Sequence, residues 1–370
     1  MASESTATPS FTLESNTTSG LTVAVLGSPG NDNAVLCTLN SGENITRLLF
    51  DCGAGCLDAV RFRELQQIDA VLFSHFHIDH VSGFDTFVRA NFAREKPVYL
   101  FGPAGSHAIL QHRLQGFLWD LVDGTPGRFV VTEIRRDGLF TVQFRSAEGF
   151  AVAHPVATTP FVGRVFETAE LTIDAVILDH GKSDSIGYCV RQRARTNVDR
   201  AALARLALRS GPWLKRLLDP ALADGEVVDV GGTPWTLGRL RAELLLTTVG
   251  ESCGYLTDFR TTSGTEAELQ RLFSGCRRLV CENNYGDEDA EAALRNNHMT
   301  SSSVGELASK LGPECLVVFH LTDKYDVAGW KRLLDEVRSR FPRAWFPHEW
   351  AGVFEPAASG VSPGSALTST

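Results

Sequence analysis

Long apolar runs are missing from this 370-residue chain. None approaches the ~20 residues that a membrane-spanning helix needs, so no membrane helix is expected. Cysteine is sparse, eight in all, and no two stand at Cys-x-x-Cys spacing; the nearest pair, Cys52 and Cys56, is separated by three residues. That excludes a disulfide scaffold. The first twenty residues lack the basic start and apolar segment of a secretory signal. A cytoplasmic protein with reduced thiols is the expectation, with Cys37, Cys189, Cys281 and Cys315 as small core fillers inside apolar runs. Positive charge is also short, 35 Lys and Arg against 44 Asp and Glu. The net charge of −9 argues at face value against a nucleic-acid partner.

What the chain does have is core material: 43% of its residues are hydrophobic and 21% charged, which excludes a disordered or fibrous protein. The Ser/Thr-rich stretch 1–18 and the small, polar stretch 357–370 read as disordered tails flanking one domain at 19–356. Within it, residues 21–27, 34–40, 47–53, 68–74, 96–102, 171–179, 186–191, 253–259, 278–283 and 314–320 read as strands. Residues 201–209, 266–273, 302–311 and 329–341 read as helices. Strands dominate the first quarter and strand–helix units the last third. That order predicts a layered α/β fold with sheets inside and helices outside.

The average charge conceals one segment. From Arg191 to Arg216, eight basic residues (Arg191, Arg193, Arg195, Arg200, Arg205, Arg209, Lys215, Arg216) accompany a single acid, Asp199. A solvated helix face is one reading of such a run. A binding strip is the other, and Gly211-Pro212-Trp213 supports it by breaking the run and offering an exposed aromatic.

The densest chemistry lies at Ser74-His75-Phe76-His77-Ile78-Asp79-His80, directly after a buried strand. A lone histidine is usually a packing or surface residue; three with an aspartate at His-x-His-x-Asp-His spacing indicate metal binding. His75 and His77, two apart on a strand end, point the same way and can grip one ion. Asp79 and His80, past the turn, can face a second. Imidazole suits zinc, and a carboxylate oxygen accepts zinc or manganese. Further ligand candidates close other apolar runs: His180, Asp258 and His320. Asp258 alone could be a turn or capping residue, and the two histidines could be satisfied strand ends; beside the cluster, the metal reading is preferred. His107, His112, His154 and His348 have no such spacing and are expected to be structural or superficial.

This pattern resembles the metallo-β-lactamase superfamily, which implies an αββα sandwich with two metals at the sheet edge. The later motifs Asp179-His180-Gly181, Ile186-Gly187-Tyr188, Gly211-Pro212, Thr257-Asp258, Asn297-His298-Met299-Thr300 and Phe319-His320-Leu321-Thr322 come in the order seen in the ribonuclease Z family. The resemblance spans roughly residues 20 to 350. It implies a zinc-dependent endoribonuclease that removes 3′ trailers from precursor tRNA by attack of a metal-bridging hydroxide. His75, His77 and His180 would hold one Zn²⁺, Asp79, His80 and His320 the other (Mn²⁺ is the alternative metal), with Asp258 bridging. Asp79 would orient or deprotonate the attacking water, and His298 would protonate the departing 3′ oxygen. Glu282 would orient a neighbour. The basic stretch 191–230 would be a tRNA-clamping arm, with Arg191, Arg193, Arg195, Arg200, Gly211, Pro212 and Lys215 as its contacts. A homodimer is implied as well. The chain departs from the family pattern at 27–33, at Ile78 where a small residue is usual, at 81–85 and at 257–259, without losing a ligand. Two other readings stay open: a dinuclear-metal hydrolase of a small phosphodiester or ester, and a non-catalytic RNA- or metal-binding relative.

Overall fold

The structure, a computed structural model, describes residues 20–354; the tails expected at 1–18 and 357–370 lie outside the described residues. The chain first lays down an eight-stranded sheet in sequence order. Its strands are β1 (Gly20–Leu26), β2 (Ala34–Asn40), β3 (Ile45–Phe50), β4 (Ala70–Leu72), β5 (Val98–Pro103), β6 (Arg128–Arg135), β7 (Gly138–Arg145) and β8 (His154–Thr159). β3 to β6 run parallel and the outer pairs antiparallel. Parallel strands buried on both faces need apolar residues at every position, and Leu48-Leu49-Phe50 of β3 and Ala70-Val71-Leu72 of β4 supply them where the two strands pair. Successive residues take opposite sides. Leu48, Phe50, Ala70 and Leu72 face one apolar cluster, while Leu49, Val71 and Phe73 face another, under the helices.

A second sheet covers the first. It comprises β9 (Arg164–Glu167), β10 (Leu171–His180) and β11 (Ser183–Gln192), and then, beyond an insert, β16 to β19. The insert contributes β12 (Arg195–Val198), β13 (Val227–Val230), β14 (Thr233–Thr236) and β15 (Leu245–Thr248). The body resumes with β16 (Ser252–Leu256), β17 (Arg278–Glu282), β18 (Cys315–Phe319) and β19 (Ala344–Trp345). The sheet order is β19-β18-β17-β16-β11-β10-β9, with β16 to β19 parallel and joined through the helices Ser263–Phe273, Ser301–Leu311 and Val327–Arg340. Phe50 of the first sheet stacks on Tyr255 of the second at 4.9 Å between ring centroids and lies 5.9 Å from Tyr188. Rings of this size dominate core energetics, and truncating one costs about 3–5 kcal/mol. The α/β sandwich expected from the sequence is the observed architecture.

The insert is a small folded unit. β12 pairs with β15 as a two-stranded stalk, and β13 and β14 form a hairpin. Ala202, Leu203, Trp213, Leu217, Leu237, Leu240 and Leu244 give it a hydrophobic cluster of its own. Two sequence-based expectations change here. The insert does not end at 230 but returns to the sheet only at Ser252, because the stalk needs β15 to complete its pairing. Trp213 is not an exposed aromatic: it is 9% exposed, and its indole N–H donates to the Arg209 carbonyl at 3.1 Å.

Candidate metal centre

Strand ends converge at one edge of the sandwich. Asp51 follows β3, Ser74 to His77 follow β4, His180 ends β10, Asp258 follows β16, Glu282 ends β17, and His320 follows β18. Four residues of this edge hold left-handed backbone: Asp51 (φ 54°), Asp258 (φ 49°), Asn297 (φ 61°) and His320 (φ 53°). Such conformations cost of order 1 kcal/mol each in non-glycine residues and persist where surrounding contacts over-determine them.

The ligand atoms of His75, His77, His180 and Asp258 lie within 4.8 Å of one another, and so do those of Asp79, His80, Asp258 and His320. Asp258 belongs to both groups. Its Oδ2 stands 3.6 Å from His75 Nε2, 3.4 Å from His80 Nε2 and 3.7 Å from His180 Nε2, and its Oδ1 is 3.3 Å from His320 Nδ1. Asp79 Oδ2 lies 3.2 Å from His80 Nε2 and 3.6 Å from His320 Nε2. A third group of Asp258, Glu282, His298 and His320 meets the same criterion.

Tautomers follow from the surrounding hydrogen bonds. A carboxylate only accepts, so His80 Nδ1–H donates to Asp51 Oδ2 at 2.7 Å. Ser74 gives its hydroxyl proton to the same oxygen at 2.7 Å, so it accepts from His75 Nδ1–H at 3.0 Å. His180 Nδ1–H donates to the Asn297 carbonyl at 3.3 Å. Each bond leaves Nε2 bare. His75 Nε2 and His80 Nε2 are buried without any hydrogen-bond partner, which is costly unless something else meets them. Bare imidazole nitrogens aimed at carboxylate oxygens are the donor set that a divalent cation such as zinc selects.

Electrostatics agree. Burial, then the neighbouring His80, pushes the His75 imidazole well below its ordinary range, and burial lowers His180. Both shifts favour the neutral imidazole that metal coordination requires. Burial opposes charge on His80 and His320, but Asp258 overrides it in both; His80 rises well above its ordinary value and His320 to about 10. Burial would likewise raise Asp258, yet His320 and His80 hold it well below the carboxylate range.

His298 is held differently. Its Nδ1 is 2.6 Å from Oε2 of the fully buried Glu282, whose other oxygen accepts from the Phe259 amide at 3.3 Å. Burial would lower the imidazole, and the Glu282 carboxylate raises it above the ordinary value instead. The Glu282 carboxylate thus favours the imidazolium form of His298, whose Nε2 has no hydrogen-bond partner among the described residues and whose ring centroid lies 5.5 Å from that of His180.

Residues 46–173 match the family model described as the beta-lactamase superfamily domain. Over 331 residues the chain is 40% identical to Ribonuclease Z of Deinococcus radiodurans, an alignment covering 89% of this chain and 98% of that one. The chain belongs to the ribonuclease Z family. Ribonuclease Z of Bradyrhizobium sp. is 28% identical over 311 residues, covering 82% of this chain and 85% of its own. Among solved structures, the metallo-beta-lactamase fold protein YhfI from Bacillus subtilis aligns with a TM-score of 0.52 and 16% identity over 89% of this chain and 96% of that one, a likeness of fold.

All seven expected ligands, with His298 and Glu282, therefore meet at one edge. The expected arm residues lie elsewhere. Arg191 ends its reach on Asp174 at 3.2 Å and on the Leu272 carbonyl. Arg193 pairs with Glu167 at 3.0 Å, and Arg195 donates to the Ser41 carbonyl. These three fasten the root of the insert to the body. Arg200 and Lys215 are exposed on its helices, and Gly211 and Pro212 lead into the helix Trp213–Leu218. Sequence reasoning missed Asp51 and Tyr255, and gave Asn297, quoted only within a motif, no role of its own. Asp51 accepts from Ser74 N–H, Ser74 Oγ, His80 and Tyr255 OH, all at 2.7 Å. Its signal was available: an acid closing the apolar run Leu48-Leu49-Phe50, as Asp258 closes another.

Proposed function

We propose that this chain is a divalent-metal-dependent endoribonuclease that removes the 3′ trailer from precursor tRNA. The observation that carries the reading is the pair of ligand groups sharing Asp258, with the bare nitrogens of His75 and His80 facing it. His75, His77 and His180 would hold one Zn²⁺, and Asp79, His80 and His320 the other, with Asp258 common to both. When bound, such a metal pair supplies charge against phosphoryl oxygens and an activated water at neutral pH.

The protein's own groups supply the rest. Asp79, 40% exposed at its side chain, accepts a hydrogen bond from the attacking water and so orients it. His298, charged through Glu282, delivers its Nε2 proton to the departing 3′ oxygen. Exposed cations of the insert, Arg200 and Lys215 among them, hold phosphates remote from the scissile bond, so that specificity comes from RNA shape. A cytoplasmic homodimer, in which the insert of one copy serves the other, completes the reading.

The test is cleavage of end-labelled pre-tRNA carrying a 3′ trailer, alongside bis(p-nitrophenyl) phosphate. A single metal-dependent cut at the base of the trailer is expected. Intact pre-tRNA beside turnover of the small diester would instead assign the centre to a small substrate.

A further inference from the structure

A second charged cavity lies along β10, the strand that delivers His180. β9 pairs with β10 only as far as Asp174, where the register slips at a bulge. The last contact is the Ala175 amide donating to the Gly163 carbonyl at 2.7 Å. Beyond it no described strand covers that edge of β10 until Arg260 N–H reaches the Asp179 carbonyl at 3.1 Å. The gap opens a cavity of about 380 Å³ lined by Arg136, Val162, Gly163, Ile177, Glu268 and Arg271 among others.

Its cations are poised for an external anion. Arg271, exposed on the helix Ser263–Phe273, lays its guanidinium over Gly163, within 3.6 Å of where a Cβ would stand, and Gly163 sits at φ +100°. Among the described residues no carboxylate lies within ion-pair distance of Arg271. Arg136, 68% exposed, touches Asp184 at 3.1 Å and remains open to solvent. Val162, 77% exposed, adds an apolar wall. A guanidinium fork beside an apolar surface suits a phosphate with its attached sugar or base. The place matters too. Ile177 is three residues short of His180, about 10 Å along the strand, and the root of the insert leaves from Gln192, opposite the start of β10.

We infer that this cavity is a subsite for the RNA backbone flanking the scissile phosphate, with Arg271 as its principal phosphate ligand and Arg136 in support. The inference rests on the endoribonuclease reading above. It predicts a binding role separate from the metal pair.

The experiment compares zinc-loaded wild type with Arg271→Glu and Arg271→Lys on trailer-bearing pre-tRNA. The readouts are cleavage kinetics and the salt dependence of binding. Arg271→Glu should raise KM about tenfold while kcat stays within about twofold, and the slope of log Kd against log salt should shrink by about 0.7–0.9, the loss of one phosphate contact. Arg271→Lys should keep most of the affinity, and zinc content with a thermal melt reports that the fold is kept. Glu268→Lys, which adds a cation to the same cavity, should lower KM. It decides the matter if Arg271→Glu fails to fold. Unchanged KM and salt slope in Arg271→Glu, or no gain in Glu268→Lys, overturns the subsite. Wild type that leaves pre-tRNA uncut overturns the endoribonuclease reading itself, a distinguishable result.

Discussion

Asp51 stands directly behind His80: its Oδ2 takes the Nδ1 proton at 2.7 Å, which turns a bare Nε2 toward Asp258 at 3.4 Å. Through Ser74 the same oxygen also fixes His75. One buried carboxylate therefore sets the tautomers of a histidine in each of the two ligand groups.

Replacing it should be felt twice. Asp51→Ala strands the buried donors of His80, Ser74 and Tyr255, at about 1–3 kcal/mol each. It should also weaken zinc binding about 10–100-fold, as loss of an outer-shell partner does. Thermal melts and zinc titration of the variant check both. Wild-type zinc affinity in Asp51→Ala would contradict the tautomer argument.

The His298–Glu282 pair predicts a separation of chemistry from metal binding. His298→Ala should lower kcat on pre-tRNA by about 10²–10⁴, the usual worth of a general acid, with zinc content unchanged. Glu282→Gln keeps the shape but removes the charge that favours the imidazolium, so a smaller loss in the same direction is expected. Single-turnover cleavage with parallel metal analysis measures this. Loss of zinc in His298→Ala would make it a ligand.

The insert should melt apart from the body. Trp213→Ala removes the largest side chain of its separate cluster, a loss of about 3–5 kcal/mol. Limited proteolysis should then cut between 193 and 251 while zinc stays bound and pre-tRNA affinity falls. Release of zinc together with the cuts would show that insert and centre fold as one unit.

Burial pushes the Cys37, Cys56 and Cys189 thiols up to about 12, and Cys276 to about 11. In the unfolded chain a thiol ionises near 9.0, so these groups leave stability untouched below that pH. Their neutral folded form becomes a growing cost to the native state as pH climbs from 9 toward 12. Native protein at pH 8 should react with a thiol reagent at no more than one site, the half-buried Cys315, and at all eight once denatured. Rapid reaction of several thiols in the native state would contradict this burial.

The candidate centre was legible because its residues break a strong rule. Polar residues rarely end buried strands, and His75, His77, His180, Asp258 and His320 all do. Asp51 went unread because a lone acid after Phe50 also starts an ordinary turn; only its four buried donors reveal its work. In the fold, β2, β3 and β10 were plain as apolar runs. β8 was not, since five of its six residues are exposed and give no burial pattern. Trp213 was misread because the apolar cluster it joins extends along the chain as far as Leu244, a distance no local pattern spans.

The most direct test is metal removal and return on trailer-bearing pre-tRNA. Protein stripped by chelation should leave the substrate intact, and activity should return in proportion to zinc up to two ions per chain. His77→Ala, which removes a ligand of one group only, should stay inactive at the same zinc concentrations. Cleavage by fully stripped protein, or by His77→Ala at the wild-type rate, would contradict the two-metal account.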